Sequence, residues 1–443
     1  MVILKNFINI FFIPELRRKL FFTIGIIFVV HRLGNYIPVI GVDIDKLKQL
    51  MDQPTTLGGI FAYLDLFSGG NLRQCTLFAL GIQPYITASI MMQFLTLSIP
   101  SLEQLTKEGE YGRKVVNQYT RYLSLLVGIM QGIGLAVVVE RYGLAIDPGW
   151  GFRFLFVLSL VVGSFFVMWL GEQISLFGLG NGSSMIIFSG IVARFPDDVI
   201  KVFAAVSEGY MDIMVAVLIM FIVVAITACI VFLEKGERKI PVQYSRRIVG
   251  QRMYAGQSTY IPFKINSAGV MPVIFASVVI SLPLYLTTFL AGYFPLFKWL
   301  SESLVPGGLL HSVLTFVLII AFSFFYTALV FNPEELAENI KKGGGFIPGL
   351  RPGRRTADFF NYILTRIGLA GAVYLAILAL LPNMVRAVLS IPFYLTGILS
   401  GTALLIAVGV AMDTAAQIES YLIEHRYEGF LRSGRLKGRA VRQ

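Results

Sequence analysis

Residue types that carry covalent or metal chemistry are scarce and scattered in this chain. The three histidines, His31, His311 and His425, stand too far apart for the paired helical spacing of a metal motif. Cys75 and Cys229 lie in separate apolar runs, which reads as two small buried hydrophobes rather than a disulfide framework. No GxSxG, HExxH, CxxC or P-loop pattern occurs. Two glycine clusters invite a phosphate reading. Gly178-Leu179-Gly180-Asn181-Gly182 has no preceding strand and reads as a loop that opens a helix. Gly343-Gly344-Gly345 follows a basic pair and reads as a loop apex, with phosphate contact as the alternative. The pattern implies no catalytic residue, metal or cofactor, and no enzyme.

Ionisable side chains deep in apolar segments would mark an ion path. Here Arg153, Glu172, Arg194 and Glu234 fall at the ends of such segments, where long side chains reach headgroups, and Asp413 closes the last of them. An ion-coupled carrier needs something deeper.

The elements that would position these residues follow from composition. Of the 443 residues, 56% are apolar and only 14% charged, against about 25% charged in an average soluble domain. That supply cannot provide a charged skin, so the main solvent of this chain is lipid. About 20 helical residues cross a hydrocarbon core, and ten segments meet that demand. They run over 20–37, 75–97, 122–139, 154–171, 172–194, 213–233, a stretch after Lys264 within 265–297, 311–331, 367–385 and 393–412. Strand-length alternation, the mark of a barrel, is absent. Ahead of the first span, Phe7 to Phe12 reads as an interfacial helix, and no signal-peptide cleavage site is evident.

Of the 37 lysines and arginines, 27 fall on one side of this topology and 10 on the other. The bias puts both termini in the cytoplasm. The two longest polar excursions, 234–264 and 332–366, share that side and carry β-branched and aromatic residues, so each should be a structured projection. Five spans on either side of the 199–212 loop imply two oppositely oriented halves, 1–205 and 206–443, as in an inverted repeat.

One segment fits no span. Leu57 to Gly70 is apolar enough to enter the membrane and too short to cross it, so it is interfacial, re-entrant or tucked into a protein-lined cavity. A sharper version makes it a small helix inserted from outside, hinged at Gly69-Gly70.

Several runs carry a resemblance. Leu66-Phe67-Ser68-Gly69-Gly70-Asn71-Leu72, followed by Phe78-Ala79-Leu80-Gly81-Ile82-Gln83-Pro84-Tyr85-Ile86-Thr87-Ala88-Ser89-Ile90, resembles the SecY family of protein-translocation channels. So do Met168-Trp169-Leu170-Gly171-Glu172-Gln173-Ile174, Gly180-Asn181-Gly182, Ala255-Gly256-Gln257-Ser258-Thr259, the run from Phe325 to Pro333 and that from Gly345 to Gly353. The matches occur in order along the chain.

The resemblance implies an all-α membrane protein, a clamshell of two inverted five-helix halves around an hourglass pore. A short re-entrant plug helix at about 58–73 would include Gly58, Gly59, Phe61, Leu64, Leu66, Phe67, Ser68, Gly69 and Gly70. An apolar pore ring would fall on Ile82, Ile86, Ile187, Ile274 and Ile406, with Ser183 at a sixth position where an apolar residue is common. A lateral gate between spans two and three and spans seven and eight would carry Thr87, Gln93, Asn266 and Ser277. These could bond across the seam or simply to their own backbones. Arg246, Arg247, Arg252 and Arg351 would dock cytoplasmic partners, and Gln251 stands where many relatives have a basic residue. Implied partners are the small membrane subunits SecE and SecG, the SecA ATPase, the ribosome, signal peptides, nascent polypeptides and membrane lipids.

The expected function is a protein-conducting channel of the bacterial plasma membrane. It would pass unfolded secretory polypeptides across the bilayer and release transmembrane segments sideways. The alternative is an inverted-repeat secondary transporter of a small solute.

Overall fold

A computed structural model describes residues 13–30, 34–52, 65, 68–209, 211–244, 247–249, 252–254, 258–290, 297, 299–300, 303–304, 308–389 and 400–433. The expected interfacial helix at Phe7–Phe12, and His31 with Arg32, lie outside the described residues.

Helices account for almost all of it. In chain order they are α1 (Pro14–Phe28), α2 (Ile44–Asp52), α3 (Gln83–Ser98), α4 (Pro100–Lys107), α5 (Glu110–Arg141), α6 (Trp150–Phe177), α7 (Gly182–Ser207) and α8 (Ile213–Lys235). After four strands, β1 (Glu237–Tyr244), β2 (Arg247–Val249), β3 (Arg252–Tyr254) and β4 (Ser258–Lys264), come α9 (Met271–Leu290), α10 (Leu309–Val330), α11 (Pro333–Lys342), α12 (Arg354–Leu389) and α13 (Gly401–Ser433). Each of the ten expected spans overlaps one of these helices.

Six stretches among the described residues are long and apolar enough to cross a bilayer alone: Glu110–Arg141, Trp150–Phe177, Ile213–Lys235, Leu309–Lys342, Arg354–Val385 and Gly401–Glu424. Helices α3 and α4 form a pair bent by 101° at Pro100. A proline cannot donate the helical hydrogen bond its position requires, and the chain turns there. The chain is thus a mostly helical membrane protein with several apolar spans. The remaining expected spans correspond to α1, of 15 residues, to α9, of 20 residues and interrupted by Pro283, and to α7, which carries Arg194, Asp197, Asp198 and Lys201.

Helix α8 shows how packing selects a face that composition does not. It is apolar all round, yet its buried residues Ala216, Ile219, Val223, Ile226, Ile230 and Leu233 recur every three or four positions. Cys229 points off that stripe and is exposed, so only Cys75 is the buried hydrophobe expected of both.

The helices pack in two groups. In the first, α3 lies on α5, α5 on α6, α6 on α7 and α1 on α6; in the second, α9 lies on α10, α10 on α12 and α12 on α13. The groups meet on two sides. On one, α9 touches α3 and α5; on the other, α7 touches α8 and α13.

The two polar excursions are structured, as expected, but they are not separate. Strands β1 (Glu237–Tyr244) and β4 (Ser258–Lys264) pair antiparallel, and β5 (Gly345–Phe346), from the second excursion, adds to β1 through Gln243–Phe346 and Tyr244–Gly345. A shared apolar core of Ile240, Val242, Phe263, Ile340, Ile347 and Phe360 joins the two. Helix α11 sits on this core, with Asn332 Oδ1 accepting from the Glu334 and Glu335 amides, acids in its first turn and lysines in its last.

Candidate functional site

Ile82, Ile86, Ile187 and Ile274, from the start of α3, from α7 and from α9, line one small cavity together with Gln83, Ser277 and Val278. Its volume is about 10 Å³, at or below the room one water needs. The same four isoleucines form the floor of a wider, half-open cavity of about 390 Å³ whose walls include Gln93, Arg121, Glu172, Asn181 and Ser183. A second cavity of about 500 Å³ shares Asn181, Ser184, Met271 and Tyr326 with it and extends past Asn266 to Glu234 and Asp413. The shape is a funnel of mixed polar and apolar walls that narrows to an apolar waist.

Ile406 is fully buried in the apolar cluster containing the other ring residues, but lines neither the waist cavity nor the funnel. Ser183 lies on the funnel wall, its hydroxyl donating to Asn181 Oδ1 at 2.6 Å. That bond belongs to the start of α7. Asn181 caps the helix by accepting from the Ser183 and Ser184 amides. The Gly178–Gly182 cluster is therefore a loop that opens a helix. A Cβ on Gly182 would run into the Gly171 carbonyl, so only glycine lets α6 and α7 approach here.

Several charges read as boundary residues have specific partners. Arg121 grips Glu172 through Nε and Nη2 at 3.0 and 2.7 Å, a two-pronged pair on the funnel wall. Arg153 pairs with Glu140. Arg194 is not at the end of its helix, because α7 runs on to Ser207. Its guanidinium meets the fully buried Asp65 at 2.9 Å. Glu234 accepts from Asn266 Nδ2 at 2.6 Å. Asp413 stands well inside α13, which continues twenty residues beyond it.

Of the gate candidates, Thr87 donates to the Gln83 carbonyl and Ser277 to the Ile274 carbonyl, both within their own helices. Asn266 also bonds the Gly269 carbonyl and stays in the second helix group. Gln93 faces the funnel, and its buried Oε1 has no hydrogen-bond partner among the described residues. Two other contacts cross from α3 to α9 and α10. Gln83 Nε2 donates to Ser281 Oγ at 3.2 Å, and Phe94 stacks on Phe325 with ring centres 4.6 Å apart, touching Phe322 at 6.0 Å. The residue before Pro84 and the aromatics of α10 were visible in sequence, but nothing there paired them.

Of the expected plug residues, Gly58, Gly59, Phe61, Leu64, Leu66 and Phe67 lie outside the described residues, while Ser68, Gly69 and Gly70 lie within them. Gly69 and Gly70 both have positive φ, 71° and 93°, which only glycine adopts without strain. Among the docking residues, Arg246 lies outside the described residues. Arg247 and Arg252 belong to a short hairpin, β2 (Arg247–Val249) with β3 (Arg252–Tyr254), and Arg351 is exposed in the turn before α12.

Known proteins with this arrangement carry a common description. The sequence model of the SecY family matches residues 76–415. The protein translocase subunit SecY of Escherichia coli K12 is 44% identical over 431 residues, 96% of each chain. That of Aquifex aeolicus is 43% identical over 430 residues, 96% of this chain and 98% of its own. Two solved structures share the fold: a protein-conducting channel (TM-score 0.62, 19% identity, covering 91% of this chain and 92% of that one) and Sec61 from a canine ribosome–channel complex (0.59, 18%, 91% and 92%). A family match across most of the sequence, with relatives above 40% identity over nearly all of it, leads to one conclusion: the chain belongs to the SecY family.

Proposed function

We propose that this protein-conducting channel, which has no enzymatic chemistry of its own, passes unfolded polypeptides through the waist formed by Ile82, Ile86, Ile187 and Ile274. Ile406 completes the ring when the waist widens. The observation that carries this reading is the convergence of those four side chains on a cavity of about 10 Å³ beneath a funnel of about 390 Å³. An apolar constriction can fit around an extended chain of any sequence, because it offers no hydrogen bonds to trap it, and when narrow it sheds water and blocks ions.

Ten spans in two inverted halves, 1–205 and 206–443, form the clamshell, and its seam lies where α9 and α10 meet α3 and α5. Transmembrane segments leave sideways there, with Thr87, Gln93, Asn266 and Ser277 along the route. The segment 58–73 plugs the pore at rest. The welded projection of β1, β4, β5 and α11 faces the cytoplasm, as both termini do. Arg246, Arg247, Arg252 and Arg351 present its positive charge to the ribosome or the SecA ATPase, and SecE and SecG complete the assembly in the bacterial plasma membrane. Support for the ribosome comes from relatives of the same fold, Sec61 and Ssh1, solved in complex with ribosomes.

The test is crosslinking of a stalled secretory chain to a cysteine placed at Ile86 or Ile274. Adducts at both positions are expected. Adducts only at lipid-facing positions such as Phe221, 69% exposed on α8, would overturn the assignment of the waist.

A further inference from the structure

The C-terminal end of the proposed plug segment, Asp65 with Ser68 to Arg73, is built around one buried carboxylate. Asp65, with a side chain 0% exposed, accepts on Oδ1 from Ser68 Oγ at 3.1 Å and from the Arg73 amide at 3.0 Å. Ser68 Oγ in turn accepts from the Leu72 amide, and the Gly70 amide bonds the Asp65 carbonyl. The other carboxylate oxygen, Oδ2, faces Arg194 Nη1 at 2.9 Å, across to the middle of α7. The Arg194 side chain is 19% exposed, and its Cδ lies 3.9 Å from where a Cβ on Gly70 would stand. The aliphatic stem of Arg194 therefore passes beside left-handed Gly70.

We propose that the Asp65–Arg194 ion pair is the latch that holds the plug against α7, and that Arg194 thereby sets how readily the channel opens. This rests on the plug reading given above. The physics is that of a buried pair. Taking two charges out of water costs about as much as their attraction returns, so an intact pair adds little net stability. Moving the plug away returns both groups to water at small net cost, which suits a device that must release. Removing one partner is different. It strands the other charge in an apolar setting while the plug is seated, and the seated state alone suffers. Removing both charges relieves the strain.

The latch therefore makes a prediction that mere local packing does not. In planar bilayers holding the full-length channel, Asp65→Asn and Arg194→Met should each raise the resting ion leak. A rise of roughly tenfold is expected, the factor by which about 1.4 kcal/mol shifts a two-state equilibrium. The amide introduced by Asp65→Asn keeps an oxygen for Ser68 and the Arg73 amide, so that variant isolates the charge. The double variant Asp65→Asn/Arg194→Met should leak less than either single one. Wild-type leak in both single variants, or a double variant whose leak is the product of the two, would overturn the latch.

A second measurement guards against poorly folded variants. With Cys75→Ala, Cys229→Ala, Asp65→Cys and Arg194→Cys, a short bis-methanethiosulfonate linker, which forms a disulfide with each cysteine and releases methanesulfinate, should stop translocation, and its reductive cleavage should restore it. Unimpeded translocation by the linked channel would overturn the proposal. Deleting 58–73 separates the two readings. A leak on deletion with none in the single variants leaves the plug and removes the latch, and no leak on deletion removes both.

Discussion

The two helix groups meet along two lines that are built differently. Along the seam, α3 faces α9 and α10 through aromatic rings, Phe94 on Phe325 and Phe322, and through the side-chain bond of Gln83 to Ser281. Along the back, α1 and the loop between α6 and α7 meet α13. The Gly180 amide donates across this line to Gln417 Oε1 at 2.9 Å, while the adjacent Leu179 amide is held inside the first group by Thr23 Oγ1 of α1 at 3.0 Å, which fixes the loop that makes the contact. Lys19 Nζ reaches the Tyr421 hydroxyl, and Leu16 and Leu179 pack with Ile418 and Leu422. Rings can slide or part and find lipid or substrate instead, leaving no polar group unsatisfied. The buried Leu179 amide, by contrast, has nothing to replace Thr23 if the loop that meets α13 shifts. The difference fits the proposed function, with the seam as the line that opens and the back as the line that holds.

The comparison can be broken most forcefully at the back. Thr23 is 2% exposed, and Thr23→Val would strand the Leu179 amide at a cost of about 1–3 kcal/mol. The expected outcome is a lower melting temperature and reduced accumulation in membranes, without acceptance of crippled signal peptides. A freely gating, fully stable Thr23→Val protein would remove the distinction. At the seam, Phe94→Ala with Phe325→Ala should remove about 0.5–1.5 kcal/mol of ring pairing beyond buried area. That variant should accumulate normally and export proteins with defective signal peptides, as a secretion assay would report. The smallest effect is expected from Ser281→Ala. It removes one interhelical hydrogen bond of about 0.6 kcal/mol, visible as a slight gain in the same assay only in combination with the aromatic changes.

The positions of the helices were largely legible in the sequence, because hydropathy over about 20 residues is a strong signal. Segment 213–233 is almost the observed α8, and 154–171 lies within α6. Boundaries were less legible. Helices α5, α12 and α13 extend into polar sequence that hydropathy does not count, which is why Asp413 looked terminal and stands well inside its helix. Arg194 was misplaced for the same reason, since α7 carries charge beyond it and composition ended the span there. The isoleucines of the waist could not be told from lipid-facing ones by pattern, since every face of a span is apolar. Motif resemblance singled them out, and four of the five converge in the structure.

By itself, the sequence determined that this chain lives in lipid, which segments are helical, that its two polar excursions are ordered and which motifs it shares with its family. These are local properties, set by residue composition over a span's length. The tertiary structure decided which partners meet across long separations: Gln83 with Ser281, Phe94 with Phe325, β1 with β5 and Asp65 with Arg194. In lipid there is no hydrophobic effect to drive one helix face against another, so close packing and the satisfaction of a few polar groups choose the contact. That choice depends on three-dimensional geometry, and no window along the chain contains it.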